Sequence, residues 1–157
     1  AIQQYQNEDT IIATVDKDLD QVPGWHYNYG SREKALYLVE PVEAELFFYK
    51  QVLMGDSTDN IPGCYMIGKA RADRIIDTIY EEYGLDHDKI WHTILETYDN
   101  SLEQHGEACP YYEKAKQEGI EAVATETARL VKMQEYVGQL WNPPGIPDEE
   151  LEMGFDE

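Results

Sequence analysis

The sequence predicts an α/β protein: the last strands of an α/β sheet, followed by a helical region. Three observations carry that prediction. "TIIATV" at residues 10–15 is a β-branched apolar run without alternation, the pattern of a strand buried on both faces. Two more strand-like stretches follow, "GWHYNYG" at 24–30 and "ALYLVE" at 35–40. From Pro41 onward the apolar residues recur at helical spacing.

Taken in order, the first strand stops at Asp16-Lys17-Asp18, where charge replaces apolar surface. "GSREK" joins the next two strands as a polar hairpin-type connection. Pro41 suits the first turn of a helix, and Glu43 and Glu45 favour the positive end of its dipole. Leu46, Phe47, Tyr49, Lys50, Val52 and Leu53 carry that helix to Gly55 as a largely buried element. A second helix is expected over 70–83, with Ala72, Ile75, Ile76 and Ile79 as its apolar stripe, and a third over 87–98. Signals weaken over 99–117, which Gly106 and Pro110 interrupt. A long helix is predicted from Ile120 to about Leu140, with Val123, Ala124, Leu130, Val131 and Val137 as core candidates, until "WNPPGIP" stops it. "DEELEMGFDE" reads as a disordered acidic tail. The expected division is residues 1–55 for the sheet and first helix, 56–144 for the helical region and 145–157 for the tail. A lone parallel-type strand lacks the partners that a sheet of this class needs, which implies an N-terminal half outside this sequence.

Composition narrows the class further. With 157 residues, 42% hydrophobic, twelve Tyr and three Trp, the chain has enough apolar material to fold. No apolar run approaches the roughly 18 residues of a membrane helix. "AIQQYQNEDT" lacks the basic and apolar regions of a secretory signal. Cys64 and Cys109 fit no zinc or multi-disulfide framework; one disulfide stays open, and a reducing cytoplasm is the default compartment. Twelve basic residues against thirty-two acidic ones give a net charge of −20, which repels nucleic acid over most of the surface. Lys69, Arg71 and Arg74 form the densest basic cluster, where any phosphate contact is expected.

Two pairs of aspartates carry the chemistry. Asp16 and Asp18 stand two residues apart at the end of the first strand, a spacing that points both side chains to the same face. Strand ends are also where open α/β sheets bind ligands. Asp56 and Asp59, in "GDSTDNIPG", stand three apart and share a face if the helical turn continues. Four convergent carboxylates repel one another unless cations neutralise them, and hard oxygen donors of this kind suit Mg²⁺ or Mn²⁺. Two such ions about 4 Å apart activate water and stabilise the leaving oxygen of a phosphodiester. Each pair taken alone also fits a blander role, a solvated turn or a helix C-cap followed by an Asx turn. "DKDLD" imitates a calcium loop, yet its sixth position is Gln21 and its twelfth is Tyr27.

The order of "ATVDKDLDQVPG", "LMGDSTDNIPG" and "IGKARADRII" resembles the 5′→3′ exonuclease and flap endonuclease family. That family includes the exonuclease domain of bacterial DNA polymerase I and stand-alone bacteriophage exonucleases. "TARLVKMQEYVGQLWNPP" resembles the closing segment of phage members, so the likeness runs to about Pro144. It implies a PIN-like, Rossmann-like sheet, a helix–three-turn–helix, and Mg²⁺-dependent hydrolysis of duplex or flapped DNA during replication in a host-cell cytoplasm. Asp16, Asp18, Asp56 and Asp59 match the family's second group of metal-binding carboxylates. Gly63, Cys64, Ile67 and Gly68 would hold duplex phosphates, partly through K⁺, with Lys69, Arg71 and Arg74 adding charge.

The chain departs from the family at named positions. The usual Gly-Ile-Gly reads Met66-Ile67-Gly68, the usual Lys is Ala70, and the first metal group, an early Asp and a Glu-x-Asp-Asp cluster, is not in this sequence. The expectation is a portion that binds metal but cuts weakly or not at all without an N-terminal half, which a separate chain or the full gene product would supply. The alternative is a non-catalytic duplex-DNA or protein-binding module. The aromatic run Trp25, His26, Tyr27 and Tyr29 is explained by alternating strand faces more cheaply than by base stacking.

Overall fold

The computed structural model describes residues 10–30, 35–134 and 136–145. It is an α/β protein with a three-stranded mixed sheet. The strands are β1 (Ile11–Ala13), β2 (Gly24–Tyr27) and β3 (Leu36–Val39), in that order across the sheet. β1 and β2 run parallel with Ile11 opposite Trp25, and β2 and β3 run antiparallel with Trp25 opposite Leu38. All three lie inside the predicted runs, each shorter by a few residues. The parallel crossover, residues 14–23, contains only a 3₁₀ turn, Lys17–Gln21.

One expectation fails at β1: the strand is not buried on both faces. Ile12 is buried, while Ile11 beside it is 57% exposed. The register puts Ile11, Trp25 and Leu38 in one row and Ala13, Tyr27 and Leu36 in the next, and Ile11, Trp25, Leu36 and Leu38 are all exposed. Apolar content alone cannot say how many layers cover a sheet. Among the described residues only one face is covered. There Ile12, Leu19 and Val22 cluster with Met133, and His26 is fully buried. A His26 ring nitrogen, Nε2, lies 2.7 Å from the Val22 carbonyl oxygen, and the ring stacks on Tyr37. The Tyr37 hydroxyl donates to Asp20 at 2.7 Å. Burial, then the Asp20 carboxylate, pushes the Tyr37 hydroxyl up to about 12.

Five α-helices follow among the described residues: α1 (Pro41–Met54), α2 (Lys69–Tyr83), α3 (His87–His105), α4 (Tyr112–Glu118) and α5 (Ile120–Val131). α1 has the predicted bounds, and α2 starts one residue earlier than expected. α3 begins where expected because Asp86 accepts from the Lys89 N–H at 3.1 Å, which caps the first turn. It runs seven residues past the predicted end, to His105, burying Ile90, Trp91, Ile94, Tyr98 and Ser101. The Tyr98 hydroxyl donates to the Val52 carbonyl at 2.6 Å, and Lys50 reaches Asp77 at 2.8 Å and Asp73 at 3.6 Å. These links tie α3 and α2 to the second half of α1.

The long final helix is shorter than predicted. α5 stops at Val131, well before Leu140. The backbone N–H of Met133 leaves helical geometry to donate to the buried Gln21 side chain at 2.8 Å, and the Met133 side chain packs on the Ile12 cluster. Val123, Ala124 and Val131 are buried as expected, but Leu130 is exposed and Val137 wholly so. Cys64 and Cys109 are free, buried thiols, so no disulfide joins them. The chain divides into two compact units, one within Ala1–Phe48 and Lys132–Gln139, the other within Tyr49–Val131 and Leu140–Glu157. The acidic tail and most of the "GSREK" connection lie outside the described residues. No helix among the described residues is long and apolar enough to cross a membrane.

Candidate functional site

Gly55 ends α1, and the chain folds back on itself by Gly63. Asp56 and Ile61 exchange both backbone hydrogen bonds at 2.8 Å, a single antiparallel bridge that closes the loop. The tip turns through Asn60, whose φ of 58° is left-handed, a conformation Asn tolerates. Gly55 and Gly63 have φ of 70° and 62°, and their backbones touch. A Cβ on Gly55 would stand 2.6 Å from the Gly63 nitrogen, and one on Gly63 would stand 2.8 Å from the Gly55 Cα. Only glycine fits at either end.

That closure positions Asp56 and Asp59. Asp56 is half-buried, and its Oδ1 accepts from the Thr58 N–H at 3.0 Å, an Asx turn. Asp59 is exposed and has no hydrogen-bond or ion-pair partner among the described residues. A carboxylate oxygen of each lies within 4.8 Å of the other. Asp56 therefore already serves the turn, whereas nothing in the local structure uses Asp59. Two such hard oxygen donors at one loop tip fit Mg²⁺ or Mn²⁺ chemically.

Asp16 and Asp18 belong to the other unit. β1 ends at Ala13, so strand alternation does not place these two on one face as the spacing suggested. Asp16 instead caps the 3₁₀ turn, its Oδ1 accepting from the Asp18 N–H at 3.0 Å, while its own N–H donates to Thr14. One oxygen of Asp16 is thus committed to the turn. Asp18 is half-buried within it.

The segment leading into α2 has a buried side and an exposed side. Cys64 and Ile67 point inward, and their N–H groups are spent on the Leu53 and Cys64 carbonyls at 2.8 and 3.1 Å. Burial pushes the Cys64 thiol up to about 11. The Tyr65 N–H donates to the Tyr111 hydroxyl, and Ser101 Oγ donates to the Tyr65 carbonyl. Ser101 and Tyr111, 36 and 46 residues away, are supports that sequence reading missed, and no local pattern signals them. Gly63 is buried in the loop closure. What remains open is Gly68, the unpaired amides of the first α2 turn, and the exposed Lys69, Arg71 and Arg74. Lys69 pairs with Asp73 at 2.7 Å, and Arg71 Nη1 donates to the Met66 carbonyl at 3.2 Å. Met66 holds φ of 64° with its side chain 60% exposed.

No family model, curated protein or solved structure matches this chain.

Proposed function

We propose that the chain is the metal-binding and duplex-contacting portion of a Mg²⁺-dependent 5′→3′ exonuclease or flap endonuclease. One observation carries the reading: the unused carboxylate of Asp59 stands within 4.8 Å of Asp56, on a loop whose closure requires glycine at both ends. In this reading Asp59 and Asp56 hold Mg²⁺ or Mn²⁺, and Asp16 and Asp18 serve as a further pair of candidate ligands. A bound ion there supplies neutralisation of phosphate charge and activation of water for phosphodiester hydrolysis. Gly68 and the first turn of α2 receive duplex phosphates, with K⁺ assisting, and Lys69, Arg71 and Arg74 add charge. The finer fold in this proposal is a PIN-like three-layer sheet with a helix–three-turn–helix.

A separate N-terminal half is the proposed partner. The exposed row Ile11, Trp25 and Leu38 supports it, since parallel strands are ordinarily covered on both faces. That same surface is the observation favouring the second reading, a binding module without catalysis. Calorimetric titration with MnCl₂ is the first test. Wild type should bind, and Asp59→Asn should weaken binding by about tenfold or more. A silent wild-type titration defeats the metal reading. With an N-terminal half added, cleavage of a 5′-labelled duplex in Mg²⁺ separates enzyme from module.

A further inference from the structure

A second feature of the helical unit stands apart from the aspartates. A cleft of about 200 Å³ opens between the segment before α2 and one face of α3. Its walls include Met66 and Arg71 on one side and Asn100, Gln104 and His105 on the other. Among the described residues no Asp or Glu lines it, although the chain carries thirty-two of them. Arg71 is anchored at the rim, because one of its five donors holds the Met66 carbonyl at 3.2 Å. Asn100 and Gln104 stand four residues apart on α3, hence on the same face, and neither side chain has a partner among the described residues. The His105 ring rests edge-on against Tyr65 with centroids 5.2 Å apart, which fixes it at the cleft wall.

From this arrangement we propose that the cleft binds a single phosphate-class oxyanion. The guanidinium offers a fixed cationic fork suited to tetrahedral oxyanions, and the two carboxamides add neutral N–H donors. The volume admits one phosphate group and a few waters. Among the described residues a cation has no carboxylate to meet there, and a purely apolar ligand would make no use of the exposed amides of Asn100 and Gln104 or of the Arg71 guanidinium. The proposal shares Arg71 with the duplex contact proposed above and rests on that reading there; a phosphate titration in EDTA fails separately from a manganese titration, because none of the cleft residues is a candidate metal ligand.

The probe is inorganic phosphate, titrated calorimetrically into the full chain in EDTA at constant ionic strength with chloride as reference. Wild type should bind one phosphate. Asn100→Asp, which puts a carboxylate in the wall, should abolish binding, and Arg71→Ala should weaken it by about tenfold or more. Lys116→Ala, which removes an exposed cation outside the cleft, should leave binding unchanged. A 5′-phosphorylated duplex compared with its 5′-hydroxyl counterpart then identifies the source, since preference for the phosphorylated end points to nucleic acid and indifference to free phosphate. No phosphate binding at millimolar concentration, or equal weakening by Lys116→Ala and Arg71→Ala, overturns the proposal. Circular dichroism of each variant confirms that a lost signal is not a lost fold.

Discussion

At Asp56 the Asx turn and the proposed metal-binding role meet in one side chain, and substitution can separate them. Asn keeps an oxygen for the Thr58 N–H and removes the charge, whereas Ala removes both. Asp56→Ala should therefore be less stable than Asp56→Asn by about 1 kcal/mol in urea denaturation, while both variants lose Mn²⁺ affinity alike. Equal stability of the two would mean that the Asx turn contributes nothing. Met66 offers a second test at this scale. A bulky residue at φ of 64° is strained by roughly 1–2 kcal/mol, and its exposed side chain contributes little packing in return. Met66→Gly should exceed Met66→Ala in stability by about 1 kcal/mol, because alanine keeps the steric penalty and glycine does not. If alanine is the more stable, the left-handed conformation is not what this position requires.

The loop from Gly55 to Gly63 behaves as one element, because its two ends are in backbone contact. Gly55→Ala and Gly63→Ala each add a Cβ against backbone atoms that cannot rotate away, and each residue has positive φ. Either should destabilise the fold by about 2 kcal/mol or more, and the double variant should cost less than the sum, since both disrupt one contact. Urea midpoints of the three proteins measure this directly; full additivity would show that the two ends act independently. The helix that leads into this loop was legible in the sequence. Pro41, the carboxylates behind it and the terminal glycine defined α1 with its observed bounds, since start and stop signals are local. Asp16 was harder, because its spacing to Asp18 suggested strand geometry and a hydrogen bond two residues away imposed a 3₁₀ turn. The end of α5 was not legible at all. Val137 continues the helical period on paper, but Met133 is drawn off by Gln21, 112 residues earlier in sequence. A competition of that range leaves no trace in a local window.

Over the whole molecule the net charge of −20 and a set of buried neutral hydroxyl and thiol groups govern how stability responds to solution conditions. Self-repulsion at that charge predicts that added salt stabilises the protein at neutral pH. Alkali acts through different groups. Burial first of all raises Cys64 from 9.0 to about 11 and Tyr37 from 10.0 to about 12, and raises Tyr98 and Tyr111 further still. In each case the folded state holds its proton more tightly than the unfolded chain. Their contribution is therefore complete below pH 9 and is lost as pH climbs from 9 toward 12. Urea midpoints at constant ionic strength should stay level between pH 7 and 9 and then fall steadily. Cys64→Ala should flatten the first part of the fall, between pH 9 and 11, and leave the later, tyrosine-driven part intact. Because both thiols are buried and free, neither should react with a chromogenic disulfide reagent at pH 8 until urea opens the fold. Were the midpoint to drop already between pH 7 and 8, charge repulsion alone would set the alkaline limit, and the buried protons would have no measurable share in it.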